Sequence, residues 1–124
     1  MSRKRLEPGP AHPITIDRVS ARACVDVDVA RLIDAPSYLQ LREANYPPVA
    51  YMARAHCDMD HLVRSERTSW CPYKGEASYF HIKRAGGDLI EDAIWTYEDP
   101  FPAVAAIKGH LAVYPERVDD LQLG

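Results

Sequence analysis

The sequence predicts a mainly β fold: one compact antiparallel domain with one short helix near residues 102–108. Three observations lead to this prediction. Ten prolines and six glycines in 124 residues interrupt the chain too often for long helices. Hydrophobic residues make up 47% of the chain, enough for a core in a domain of this size. Several segments alternate apolar and polar residues with the period of two that is typical of strands.

The clearest predicted strands flank a pair of glycines. Residues 76–83 and 89–97 alternate in this way, and Gly86–Gly87 between them favours a hairpin turn. Residues 55–65 are interpreted as a polar loop with a helical turn at 60–63, and residues 71–75 as a turn. Residues 37–42 form a strand or a helical turn, and residues 29–34 extend the preceding strand or return as its hairpin partner. Further strands are predicted at residues 14–16, 21–28, 49–52 and 111–114.

Three segments are predicted along the chain. Residues 1–12 form an irregular basic leader, residues 13–119 the single β domain, and residues 120–124 a short tail. The leader contains Arg3, Lys4 and Arg5, and its prolines exclude regular structure. The formal net charge is −3, and without those three basic residues it is −6. Such an acidic body makes nucleic acid an improbable partner, because nucleic-acid binders carry a basic surface.

Cysteine usage and hydropathy limit the cellular locations in which this protein is expected. The three cysteines, Cys24, Cys57 and Cys71, form no C-x-x-C pair, which excludes a disulfide scaffold and a zinc ribbon. We therefore expect a reducing, cytoplasmic location. No apolar stretch approaches the roughly 18 residues that a membrane span requires, so no membrane partner is expected.

Aromatic residues concentrate around one motif. Seven of the eleven lie between Trp70 and Phe101, beside the C-P-Y-K-G sequence of residues 71–75. Tyr73, Tyr79, Trp95 and Tyr97 can stack on a flat ligand, although plain core packing is the alternative. Of the clustered aromatic residues, Phe80 and Trp95 are the ones expected in the core. Arginine and lysine supply donors for a carboxylate or phosphate, and hydroxyl groups can orient it. The candidate ligand-binding residues are Arg67, Thr68, Tyr73, Lys74, Ser78, Tyr79 and Tyr97.

The motif and its flanking segments carry a family resemblance. Residues 67–79 read R-T-S-W-C-P-Y-K-G-E-A-S-Y, with Y-P-P-V at 46–49, W-T-Y-E-D-P at 95–100 and Y-P-E-R-V at 114–118. Over about residues 12–119 the chain resembles domain-of-unknown-function family 427, which carries a nucleotidyltransferase-like label. The resemblance implies a β-tent-like fold, similar in outline to methionine sulfoxide reductase B. The resemblance does not imply a structural metal in this chain, because the paired cysteines with which related β-tent proteins bind zinc are missing here.

The leading hypothesis is a domain that binds a small anionic or nucleotide-like ligand in an aromatic pocket around the C-P-Y-K-G motif. One alternative is a thiol-dependent enzyme with Cys71 as nucleophile and His81 or His110 as base. Another is nucleotidyl transfer, for which Asp26 and Asp28 would approximate a metal-binding pair. A third is a homodimeric interaction module. The sequence assigns no cofactor.

A second polar cluster lies at residues 56–61, which contain His56, Cys57, Asp58, Asp60 and His61. On a helix, some of these side chains would share a face and could ligate a transition metal. The helical signals are weak, however, so the segment is interpreted as a polar loop and no metal site is predicted.

Overall fold

The computed structural model describes residues 3–124. Within them the chain forms ten strands and four short 3-10 segments, and all strand pairing is antiparallel, which confirms the mainly β prediction. The strands are β1 Ile14–Val19, β2 Ala23–Val27, β3 Ala30–Ala35, β4 Tyr38–Glu43, β5 Val49–Ala53, β6 Leu62–Cys71, β7 Gly75–Lys83, β8 Leu89–Thr96, β9 His110–Val113 and β10 Asp120–Leu123. The 3-10 segments are Arg54–His56, Met59–His61, Pro102–Ile107 and Pro115–Arg117.

The strands form two sheets. The larger has the order β1-β4-β5-β9-β8-β7-β6, and the smaller has the order β10-β2-β3. Two residue pairs alone, Met52 with Leu111 and Ala53 with His110, connect β5 to β9. The large sheet therefore consists of a three-stranded part, β1-β4-β5, and a four-stranded part, β9-β8-β7-β6, that meet along a short ladder.

Apolar side chains cover both faces of the large sheet. On one face, Met52, Phe80 and Ile94 join residues of the small sheet, including Val25 and Ile33, in the first core. On the other face, Leu41, Tyr51, Ala77, Tyr79, Tyr97, Val104, Ile107 and Ala112 form the second core. Neighbouring residues such as Tyr51 and Met52 enter opposite cores because strand side chains alternate. The second core positions the site described below.

Two predicted segments require correction. The sequence pattern predicts a loop up to residue 65 and a turn from residue 71, and it assigns no element to the residues between them. Instead, residues 62–71 form strand β6, which lies at the edge of the large sheet. Its side chains are mostly exposed on both faces, so it lacks the alternation that would identify a strand. Residues 120–123, expected in the tail, form β10, whose backbone pairs with Ala23–Val27 of β2.

The ambiguous segments are also resolved. Residues 30–35 return as the hairpin partner of β2, and residues 38–43 form a strand. The short helix expected near residues 102–108 is the 3-10 segment Pro102–Ile107, interrupted at Val104, where φ is −124°. Among residues 3–124, no helix combines the length and the apolar character needed to cross a membrane.

Candidate functional site

A cavity of about 210 Å³ opens beside the second core, and six aromatic side chains line it. We call it the aromatic cavity. The three-stranded part of the large sheet and the loop after β4 supply one side of it, and the four-stranded part with its adjoining segments supplies the other. Its lining consists of Leu41, Glu43, Tyr46, Pro47, Val49, Tyr51, Lys74, Tyr79, Trp95, Tyr97 and Tyr114.

Strand periodicity explains why these residues converge. Leu41 and Glu43 on β4 are two positions apart, as are Val49 and Tyr51 on β5, so each pair faces the same side of the sheet. Trp95 ties the walls together: its Nε1 donates to the Tyr51 hydroxyl at 3.2 Å. These rings meet edge to face with centroids 6.3 Å apart. This aromatic geometry fixes the cavity wall without requiring a ligand.

An ion pair spans the cavity wall. Lys74 Nζ donates to Glu43 Oε1 at 2.5 Å, and the second carboxylate oxygen accepts a hydrogen bond from His12 Nε2 at 2.8 Å. Burial acts to raise the pKa of Glu43, but the hydrogen bonds from Lys74 and His12 outweigh it and hold that pKa below its ordinary value. Glu43 is therefore an ionised hydrogen-bond acceptor at neutral pH.

The C-P-Y-K-G turn delivers Lys74 to this position. The Lys74 amide donates to Cys71 O at 3.3 Å, and Lys74 O accepts from the Phe101 amide at 3.0 Å. Gly75 follows with φ +108°, a backbone conformation that side-chain-bearing residues rarely adopt. The glycine of the motif thus allows the chain to enter β7 immediately after the lysine.

Tyrosine hydroxyls complete the lining in their protonated form. Burial is the main cause that raises the pKa of both Tyr51 and Tyr97, and the charge of Glu43 acts in the same direction. Burial and the neighbouring Tyr79 likewise raise the pKa of Tyr114. These hydroxyls remain neutral near pH 7, where each can donate or accept a hydrogen bond.

Comparison with known families identifies the chain. Residues 15–124 match a family described as a domain of unknown function, DUF427. The chain belongs to the DUF427 family. No curated protein matched the sequence. The DUF427 match includes β10 and begins after the leader, so it spans both sheets and every residue that lines the aromatic cavity.

Three of the predicted ligand-binding residues line the cavity of this DUF427 domain: Lys74, Tyr79 and Tyr97. Tyr73 lies outside it, beside an adjoining hollow that it shares with Cys71 and His12 and whose lining also includes Glu43, Tyr46 and Lys74 of the cavity. There its ring stacks on the His12 imidazole with centroids 3.9 Å apart. Lys74 therefore lines both the cavity and the hollow, whereas Cys71 and Tyr73 line the hollow alone.

The other predicted ligand-binding residues lie apart from the cavity lining. Arg67 covers the Tyr79 ring, with its guanidinium carbon 4.6 Å from the ring centroid. Thr68 is exposed on β6, opposite Ser78. Ser78 accepts a hydrogen bond from Arg64 at 3.0 Å and donates one to Glu98 Oε1 at 3.3 Å. Arg67 is thus separated from the cavity by the Tyr79 ring, and the Ser78 hydroxyl is engaged elsewhere.

The groups considered for catalysis are dispersed in the structure. Cys71 is half-buried against the second core. His81 Nδ1 accepts from the Asp92 amide at 2.9 Å, toward the opposite end of β7. His110 Nδ1 lies 2.9 Å from Lys108 O. Both histidines thus have hydrogen-bond partners other than the Cys71 thiol.

Several of the acidic residues and histidines considered for metal binding are engaged in ion pairs and hydrogen bonds. Asp26 pairs with Arg31 at 2.7 Å, and Asp28 pairs with Arg84 at 2.9 Å. His61 Nδ1 lies 2.9 Å from Asp58 Oδ2 within a 3-10 turn. Across residues 3–124, no group of three or more His, Cys, Asp or Glu side chains is arranged to hold a metal ion.

Sequence reasoning missed several lining residues, chiefly Glu43 and Tyr51. Tyr46 and Tyr114 belong to Y-P motifs that carried the family resemblance, so their sequence context was a usable signal. Glu43 and Tyr51 had no comparable signal, because they are connected to the motif only by the successive pairings of β4, β5, β9, β8 and β7.

Proposed function

We propose that this DUF427 domain binds a small, flat, nucleotide-like ligand in the aromatic cavity. The observation that carries the proposal is the Lys74–Glu43 pair on a wall otherwise built of aromatic and apolar side chains. A few convergent polar groups in an apolar concavity are typical of small-molecule sites. At about 210 Å³ the cavity lies below the roughly 300–1,000 Å³ of sites for drug-sized ligands. A single heterocycle suits this volume better than a whole nucleotide.

The chemistry of the pair supports a particular ligand edge. Lysine carries three N–H donors, and in the described part of the chain Lys74 Nζ has one hydrogen-bond acceptor, Glu43. The Glu43 carboxylate, which accepts from Lys74 and His12, retains further lone pairs. A donor and an acceptor side by side match the adjacent carbonyl and N–H of a lactam, the edge that uracil-like and hypoxanthine-like rings present. The aromatic walls would stack on the ring faces.

The Lys74–Glu43 ion pair favours a simple anion less than a neutral lactam as the ligand. An incoming carboxylate would gain the remaining Lys74 donors but would meet the charge of Glu43, which is close to the same ammonium. Within residues 3–124, Lys74 is the one cationic side chain of the cavity lining. A neutral acceptor therefore fits better than a second negative charge.

Calorimetric titration tests the proposal with three probes. Uracil presents the lactam edge, 1,3-dimethyluracil lacks its N–H donors, and benzoate represents the simple anion. We expect uracil to bind about tenfold more tightly than its dimethyl derivative, the effect of one lost hydrogen bond to a charged group. Tighter binding of benzoate that still depends on Lys74 would reassign the ligand class to small anions.

The variants determine whether any binding belongs to the cavity. Lys74→Met should abolish binding of the probe. The double variant Lys74→Met with Glu43→Gln should also abolish binding, and it leaves no unpaired carboxylate that could destabilise the fold. Arg42→Ala, an exposed neighbour of Glu43 on β4, is the matched control and should bind like the wild type. Binding of no probe, or binding that survives in both Lys74 variants, would overturn the proposal.

The alternative functions have weaker support. Thiol chemistry at Cys71 would need a base, and the ring Nδ1 atoms of His81 and His110 are engaged elsewhere. One edge of the large sheet is β6, which carries Arg64, Glu66 and Arg67 and so disfavours self-association through that edge. Charged side chains on an edge strand disfavour pairing with a second chain.

A further inference from the structure

The leader lies along the outside of the C-P-Y-K-G turn. The Leu6 amide donates to Pro72 O at 2.9 Å, and Trp70 Nε1 donates to Lys4 O at 2.7 Å. Further along, His12 reaches Glu43 and stacks on Tyr73. Residues 3–12, which we call the strap, thus contact the motif region at points spread along their length.

Two strap arginines stack on aromatic rings. The Arg3 guanidinium carbon lies 4.8 Å from the Trp70 ring centroid, and Arg3 NH1 pairs with Glu76 at 2.7 Å. The Arg5 guanidinium carbon lies 4.4 Å from the Phe101 centroid. Trp70 and Phe101 meet edge to face with centroids 5.6 Å apart, so the two arginines cover one continuous aromatic surface.

This surface belongs to a groove distinct from the aromatic cavity. The groove has a volume of about 450 Å³ and shares no lining residue with the cavity in the described chain. Beside Trp70 and Phe101 its lining includes the acidic residues Glu76, Glu98 and Asp99, and Arg3 of the strap forms part of the same lining. Aromatic faces next to carboxylates match a guanidinium, which is planar, always charged and weakly hydrated.

We propose that the groove of Trp70, Glu76 and Phe101 is a binding site for guanidinium groups, and that the strap of the same chain is its occupant. The charge complementarity is direct, since a basic segment lies on acidic side chains of a body with net negative charge. A lysine ammonium, compact and more strongly hydrated, would lose the planar stacking. The proposal concerns the groove and is independent of any ligand in the aromatic cavity.

Hydrogen exchange at the Trp70 indole N–H tests whether the arginines dock the strap. We expect Arg3→Ala with Arg5→Ala to lower protection of that N–H about tenfold, the effect of two lost cation–π contacts. Arg3→Lys with Arg5→Lys should lose most of the same protection, and Lys4→Ala, which retains the backbone carbonyl, should match the wild type. Unchanged protection in the alanine variant, or full protection in the lysine variant, would overturn the proposal.

A peptide added in trans tests the groove itself. A synthetic peptide of residues 1–12, titrated into the Arg3→Ala, Arg5→Ala protein, should shift the Trp70 indole signal saturably. The same peptide with lysine at positions 3 and 5 should bind about tenfold more weakly. Absence of a shift at millimolar peptide, or equal binding of both peptides, would contradict guanidinium recognition. The substituted side chains are exposed, and an unchanged thermal melt checks that the fold is intact.

Discussion

Lys74 Nζ lies 2.5 Å from Glu43 Oε1, and this contact joins the C-P-Y-K-G turn to the end of β4. Both side chains are largely withdrawn from solvent, with exposed fractions of 10% and 14%. The pair links the two parts of the large sheet on the wall of the aromatic cavity. Its contribution to stability and to recognition can be separated experimentally.

Breaking this pair from one side should destabilise the protein. Lys74→Met leaves the Glu43 carboxylate partly buried with His12 as its remaining hydrogen-bond partner, and we expect the free energy of unfolding to fall by about 3 kcal/mol. Adding Glu43→Gln should recover part of the loss, because no unpaired charge then remains. Urea denaturation measures both values. Lys83→Met, at an exposed position on β7, is the control and should change stability by less than about 0.5 kcal/mol.

Stability should decrease in acid partly through Glu43. Its folded pKa lies below the ordinary value of 4.5, so its contribution is complete above pH 4.5 and is lost as the pH falls through the lower folded pKa. Glu98, whose pKa Arg64 lowers, acts in the same direction. Urea denaturation between pH 7 and pH 3 should show a shallower decline for Glu43→Gln than for the wild type. Parallel curves for the two proteins would argue against this role of Glu43.

Gly75 should tolerate substitution poorly. Its φ of +108° is strained for any residue with a Cβ, whereas the nearest atom to an added Cβ, Asp99 O, lies at an ordinary 3.5 Å. The cost of Gly75→Ala is therefore conformational, about 1–2 kcal/mol. Gly86→Ala in the β7–β8 turn requires no positive φ and should stay within about 0.5 kcal/mol. Thermal and urea unfolding of the two variants provide the comparison, and equal losses would refute the conformational explanation.

Cys57 should resist alkylation in the folded protein. Burial, followed by the negative charge of Asp58, raises the pKa of its thiol to about 12. At pH 8 only about one molecule in ten thousand then carries the reactive thiolate. Iodoacetamide labelling followed by peptide mass mapping should leave Cys57 unmodified until denaturant is added. Labelling of native Cys57 at the rate of the unfolded chain would contradict this expectation.

The local sequence pattern was sufficient to predict much of the fold but not the whole of the candidate site. Phe80, expected in the core, packs in the first core, and Trp95, also expected there, packs partly buried against the second core and in addition lines the cavity. Phe80 on β7 and Trp95 on β8 belong to strands in which apolar and polar residues alternate. That periodicity alone could not distinguish a face packed in a core from a face that lines a cavity. Lys74 and Tyr79 were recognised because the motif holds them close together in sequence.

The remaining parts depend on contacts between distant segments. Glu43 on β4 is connected to the start of β7, next to Lys74, by four successive strand pairings, and no local spacing in the sequence encodes that arrangement. The sequence pattern predicts Arg67 and Thr68 as ligand-binding residues but does not predict strand β6, on which both residues lie. That edge strand carries polar side chains on both faces, and its partner β7 is what fixes its conformation.

If the aromatic cavity binds the proposed ligand, the short ladder between β5 and β9 would couple that binding to the cohesion of the large sheet. Two residue pairs join the parts there, while Tyr51 and Glu43 face the cavity from one part and Trp95 and Lys74 from the other. A molecule bound between them would hold the two parts together across the shortest ladder of the sheet. Its binding free energy then resists separation of the two parts. Amide exchange at Met52 and Ala53 would report that coupling directly.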